Sequence, residues 1–220
     1  DRLYEVVKTV RERVPASVPV SAKIRLGFSN TNDVHKNAEM IFKAGASWLT
    51  IHARTRDQGY RPPVDWKLIG EINSNSPIPI VANGDIWTID DFKKCRDLTR
   101  CSHYMLGRGI FVNPYLSVQI GNELNLDTLS HRESTYPTPE VWRSLFAQLF
   151  EKGINHRDQR DFAHIRIKQW LGMRNKRVPA QSFEILKKIS SADEYFAAAQ
   201  NLELFALPNA THLDNQVKDF

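Results

Sequence analysis

Four short β-rich runs each end in residues able to do polar chemistry. The ends read Lys23-Ile24-Arg25-Leu26-Gly27, His52-Ala53-Arg54-Thr55-Arg56, Asn83-Gly84-Asp85 and Gly107-Arg108-Gly109. Each carries cations, polar groups or glycines, whereas the starts of the same runs are ordinary. The last two form the sharper pair. Glycine lets backbone N–H groups approach an anion closely, and a helix that begins just beyond adds a favourable dipole. Asn83, Gly84, Asp85, Gly107 and Arg108 therefore suit a phosphate, with Arg108 supplying charge; two ordinary turns are the plain alternative.

Lys23 stands in a run otherwise made of small and apolar residues. A buried lysine needs an anionic partner. The N1/O2 edge of a flavin is one candidate, because positive charge there stabilises the reduced ring. The alternative is a lysine that snorkels outward or pairs with a carboxylate. His52 shares the side of its run with Thr50 and Arg54. It can hydrogen-bond to a cofactor or a base, or be a satisfied core histidine.

The elements that hold these ends repeat one unit. The β runs are 19–25, 47–53, 78–82 and 103–107, and their starts lie 28, 31 and 25 residues apart, which is βα spacing. Thr31 or Asn32 is expected to cap a helix that stops at Gly45, Asp65 one that reaches about Asn73, and Thr88 one that reaches about Leu98. Four such units are half of a (β/α)₈ barrel, where chemistry sits at the C-terminal ends of the strands. Near Asn113-Pro114 the pattern changes. Residues 121–137 read as a polar connection, and Thr138-Pro139-Glu140 opens a helix with a cap, a first-turn proline and an acid. More helices are expected at about 159–175, 179–190 and 192–203. The fold class is thus α/β, with a half-barrel over 1–120 followed by an all-helical domain over 121–220.

The helical half has a charge signal of its own. Between 157 and 177 stand Arg157, Arg160, Arg166, Lys168, Arg174, Lys176 and Arg177 against Asp158 and Asp161. From Arg166 to Arg177 there is no acid, and His164 and Trp170 interleave. Cations beside a stacking ring suit a nucleic-acid backbone; a solvated helix face is the alternative. The whole chain has 220 residues, 41% hydrophobic, and a net charge of +5, which permits a polyanionic partner. No apolar run is long enough to span a bilayer, so no membrane association is expected. Its two cysteines, Cys95 and Cys101, have no metal spacing and fit a reducing cytoplasm. The chain begins without Met and inside a helix, so it is expected to be a piece of a longer protein.

Ser21-Ala22-Lys23-Ile24-Arg25-Leu26-Gly27, Ile51-His52-Ala53-Arg54-Thr55-Arg56, Gln58-Gly59-Tyr60, Ile80-Val81-Ala82-Asn83-Gly84-Asp85-Ile86 and Leu106-Gly107-Arg108-Gly109 resemble the second half of a tRNA-dihydrouridine synthase barrel. Arg166-Ile167-Lys168-Gln169-Trp170-Leu171 resembles the bacterial C type in particular. The resemblance runs from about residue 2 to 200. It implies flavin mononucleotide (FMN) as cofactor, NADPH as reductant, and reduction of a uridine C5–C6 bond in tRNA, at position sixteen of the D-loop. By resemblance, Lys23 and His52 contact the flavin ring, while Asn83, Gly84, Asp85, Gly107 and Arg108 surround its phosphate. Arg54 and Tyr60 line the side where the uridine enters, and Arg166, Lys168, Arg174 and Lys176 contact tRNA. A monomer is expected. The family's proton donor is a cysteine in the first half of the barrel. Cys95 and Cys101 do not match it, so this chain is expected to hold no catalytic residue and to be inactive alone. Two other readings remain open: an FMN-dependent barrel oxidoreductase acting on a small pyrimidine, and a non-catalytic RNA-binding fragment.

Overall fold

Isoleucine, valine and alanine crowd the four β runs, and strands of that composition need cover. In the computed structural model, which describes residues 2–126, 139–154, 160–176 and 181–201, they form one parallel sheet in the order β1-β2-β3-β4. The chain divides into two compact units, Asp1–Gly107 and Arg108–Phe220.

The first unit opens with α1 (Arg2–Arg13) and then alternates β1 (Ser21–Arg25), α2 (Val34–Lys43), β2 (Trp48–His52), α3 (Trp66–Ser74), β3 (Ile80–Asn83), α4 (Ile89–Thr99) and β4 (His103–Met105). Registry pairs Lys23 with Thr50 and Thr50 with Val81; one step on, Arg25 pairs with His52, His52 with Asn83 and Asn83 with Met105. Successive side chains on a strand point to opposite faces, so these residues share one face. The other face carries Leu49, Ile51, Ile80 and Ala82, all fully buried, as are Ile41 of α2, Ile69 of α3 and Phe92 of α4. Phe92 meets Tyr104 of β4 edge to face at 4.8 Å. Each such aliphatic side chain contributes roughly 1.5–3 kcal/mol by leaving water.

The helix signals of the first unit hold with one exception, and the cap expected at Thr138 lies outside the described residues. Thr88 makes a full capping box with Asp91, Asp65 accepts from the Leu68 N–H, and Gly45 follows α2 with φ +87°. The start of α2 differs: Asp33 occupies the cap position without a side-chain bond. Asn30 Oδ1 accepts from the Asn32 N–H instead, tightening the turn before the helix. The strands are shorter than their apolar runs, and β4 stops at Met105, two residues before the expected end.

The second unit contains α5 (Gly109–Val112), α6 (Leu116–Glu123), α7 (Pro139–Ile154), α8 (Arg160–Asn175), α9 (Gln181–Leu186) and α10 (Ala192–Asn201). Trp142, Ile167, Leu171, Leu186 and Tyr195 form its core. Residues 108–120, read above with the half-barrel, group with this unit, and Phe111 of α5 stacks on Trp170 of α8 at 5.0 Å. α6 overlaps the start of the expected connection because Leu116, Ile120 and Gly121 are buried.

Helices α3 and α4 cross closely at Gly70. A Cβ there would lie 2.3 Å from the Leu98 carbonyl oxygen. Gly70→Val should therefore lower unfolding stability by about 1–3 kcal/mol, measured by urea denaturation; unchanged stability would show that the helices separate freely.

Candidate functional site

The polar face of the sheet gathers hydrogen-bonding groups toward the C-terminal strand ends. Lys23 Nζ donates to Asn83 Oδ1 at 3.1 Å, and Asn83 Nδ2 donates to the Met105 carbonyl at 2.7 Å. The Asn83 amide therefore links β1 to β4 across β3. In this chain, where β2 is the one described strand beside β1, the Lys23 side chain is exposed, although the ammonium itself nests against Asn83. Partial burial, aided by the Arg25 charge, lowers its pKa.

His52 lies between Arg25 and Asn83 in the register. Burial pushes its pKa down to about 4, assisted by the charges of Arg25, Lys23 and Arg54 and opposed by Asp85. The ring is thus neutral at neutral pH, and its buried Nδ1 has no hydrogen-bond partner. A buried polar atom without a partner is costly unless a ligand or water satisfies it.

Arg54 and Asp85, expected respectively beside the uridine and beside a phosphate, meet each other. Arg54 is fully buried and holds Asp85 through both guanidinium nitrogens, with Nη1 donating to Oδ1 at 3.0 Å and Nη2 to Oδ2. The pair neutralises the acid that would otherwise repel a phosphate at this strand end. Around it the loops are stitched by main-chain bonds, from Leu26 N–H to the Arg54 carbonyl and from Ala53 N–H to the Asn83 carbonyl. Trp66 Nε1 donates to the Gly84 carbonyl at 3.0 Å. Gly84 needs its glycine, with φ +126° and an added Cβ 3.3 Å from Ala53. Gly107 faces open space. Arg108, next in the chain, begins the second unit at the cap of the short α5.

Arg25 was not singled out as a site residue, yet it organises the loop after β2. Its Nη1 donates to the carbonyls of Thr55 and Gly59, and its guanidinium faces the exposed Tyr60 ring at 5.7 Å. Its parity with Lys23 was the available signal. Neither cysteine shares the polar face. Cys95 sits buried in α4 and Cys101 is buried just before β4, at the opposite strand ends. Burial pushes the Cys95 thiol up to about 12 and raises that of Cys101.

The sequence profile of the family described as Dihydrouridine synthase (Dus) matches residues 1–205. The chain belongs to the dihydrouridine synthase family. It is 35% identical over 194 residues to a tRNA-dihydrouridine(16) synthase of Neisseria meningitidis serogroup A, covering 87% of this chain and 57% of that protein. Proteins of the same name from Ralstonia nicotianae and Shewanella oneidensis are 33% and 37% identical over 90% and 80% of this chain, and 60% and 53% of their own lengths. The chain thus spans somewhat over half the length of the curated relatives it matches. A solved dihydrodipicolinate synthase family protein from Coccidioides immitis overlaps with a TM-score of 0.42 at 12% identity, covering 97% of this chain and 68% of that one, a likeness too slight to carry an argument.

In the second unit of this dihydrouridine synthase chain, the basic run of α8 is split by the helix. Arg166 and Lys176 are exposed. Lys168 is half-buried, with Nζ donating to the Ile189 carbonyl and lying 5.6 Å from the Tyr195 ring centre. Arg174, expected to contact tRNA, is buried, and burial lowers its pKa. It is in phase with Ile167 and Leu171, the core stripe of the helix, and so faces inward. Arg157 and Arg177 lie outside the described residues. Trp170 is occupied by Phe111, and the two rings edge a groove of about 400 Å³ lined also by Trp142, Phe146 and Lys152.

Two outcomes follow from the first unit. Asp85→Ala strands a buried guanidinium and should cost about 3–5 kcal/mol in a urea melt; a double replacement, Arg54→Met with Asp85→Leu, should recover most of it. The His52 ring should titrate near 4 by NMR, and a midpoint near 6.5 would contradict its placement. Because the folded pKa lies below the unfolded one, His52 contributes stability that is present above the unfolded value and lost as pH falls through the folded value.

Proposed function

We propose that this chain is part of an FMN-dependent tRNA-dihydrouridine synthase that reduces a D-loop uridine, at position sixteen, with NADPH as reductant. The first unit would be the second half of a (β/α)₈ barrel and the helical unit a tRNA-binding domain. The observation that carries the reading is the neutral His52, its Nδ1 unpartnered, beside the Lys23–Asn83 link on the polar face of the sheet. The relatives' names supply the substrate class.

These groups fit a flavin. Lys23 would place positive charge at the polar edge of the ring, and neutral His52 would give or take a hydrogen bond without adding charge. Gly84 and Gly107 would let the main chain approach the cofactor phosphate, with Arg108 following in sequence. Bound there and reduced by NADPH, FMN would supply the hydride for the C5–C6 bond. Arg25 would hold Tyr60 and its loop at the side where a base enters. The proton to C5 needs a positioned acid; Cys95 and Cys101 are both buried away from the polar face, and that role would fall to a residue outside this chain.

The test combines tRNA binding over a salt series with assay for dihydrouridine in unmodified tRNA. The chain should bind tRNA, and replacing Arg166 and Lys176 together by Ala should lower the slope of log K against log salt by about 1.4–1.8, as expected for two lost phosphate contacts. With FMN and NADPH it should form no dihydrouridine unless the remainder of the barrel is supplied. Equal slopes for both proteins would make those cations a solvated face, and failure of the completed enzyme to make dihydrouridine would overturn the reading.

A further inference from the structure

Two exposed aromatic rings stand at the C-terminal strand ends of the first unit, each with a guanidinium over it. Phe28, in the loop after β1, is 64% exposed, and the Arg56 guanidinium lies 4.8 Å from its ring centre. Tyr60 is 63% exposed with Arg25 at 5.7 Å.

The loop geometry holds Phe28 in place. Arg56 N–H donates to the Gly27 carbonyl at 2.9 Å and Asp57 N–H to the Phe28 carbonyl at 3.0 Å, strapping the β1 loop to the β2 loop. Gly27 has φ +154°, and a Cβ there would lie 1.9 Å from the Asn30 carbonyl oxygen, so the turn closes tightly behind the ring. The β2 loop is braced in turn: Thr55 N–H donates to Gln58 Oε1 and Gln58 N–H to Thr55 Oγ1. Arg25 grips the same loop at Thr55 and Gly59. A rigid loop loses little entropy on binding.

The charge of the patch selects its partner. Arg25, Arg56 and Arg61 serve the two loops, and Asp57 is the one acid between Arg54 and Arg61. Asp57 lies 3.7 Å from Arg56 and its carbonyl accepts from Arg61. Arg54 is already neutralised by Asp85. A flat apolar face beside an exposed cation accepts a nucleobase by stacking, while the neighbouring cations take the phosphates on either side.

We propose that Phe28 and Arg56 form a stacking clamp for an unpaired RNA base, built from residues other than Lys23, His52 and Asn83. The proposal rests on the tRNA reading above and names a base-stacking contact within it. The clamp needs unstacked bases, so loops engage it and a blunt duplex does not.

The test uses the full chain with an unmodified tRNA transcript, a copy carrying 2-aminopurine in the D-loop, and a blunt RNA duplex. Phe28→Ala should weaken tRNA binding by about 5- to 150-fold with an unchanged salt slope, as expected for loss of one stacked base. Phe28→Trp should retain binding and the 2-aminopurine quenching that Phe28→Ala loses. Arg56→Ala should weaken binding and lower the slope by about 0.7–0.9. Duplex binding should be the same for all variants, which also reports that they fold. Wild-type affinity for tRNA in Phe28→Ala, or an equal loss on the duplex, would overturn the clamp alone. Failure of the unmodified chain to bind tRNA would overturn both the clamp and the tRNA reading beneath it.

Discussion

A fully buried arginine is tolerable only beside an anion, and the ends of β2 and β3 are arranged around that demand. Arg54 cannot reach water, so Asp85 must approach it, and Asp85 adopts φ +47° at the turn from which it does so. The two-point grip fixes the loop after β3 relative to the loop after β2. His52 stands two residues before Arg54 and Asn83 two before Asp85, so the same grip sets the separation of these two side chains on the polar side of the sheet. A lone ion pair in water would contribute little; here desolvation makes each partner obligatory to the other.

The sheet separates two kinds of requirement. Leu49, Ile51, Ile80 and Ala82 are constrained by volume, because helices close over them. Lys23, His52 and Asn83 on the opposite face are constrained by charge and hydrogen bonding. Both faces are served by the same few residues in alternation, so a one-residue slip of register would exchange a packed core for a polar one.

Much of this was readable before any coordinates. The capping box at Thr88, the stop at Gly45 and the βα spacing are local signals, and local signals survive folding. Clustering in sequence groups Asn83, Gly84 and Asp85, and the structure sets them together at the end of β3. What escaped were properties set by distant partners. That Arg54 and Asp85 would meet across 31 residues is a tertiary fact. The exposure of Lys23 in this chain, where β2 is the one described strand beside β1, is not stated by its own sequence. Arg174 was misread for a different reason: counting charges along α8 ignored the period of the helix, and that period sets Arg174 in line with Ile167 and Leu171. α6 was missed because polar residues around Leu116 and Ile120 masked a short apolar stripe.

The Asn83 side chain accepts from Lys23 with one end and donates to Met105 with the other. Such a bridge has a direction. Aspartate would keep the bond to lysine but set an oxygen against the Met105 carbonyl, and leucine of similar size would leave both partners unmet. The position thus admits almost no drift: its neighbours on β3, Ala82 and Val81, can exchange with other apolar residues of like volume, while Asn83 is held by polarity at both ends.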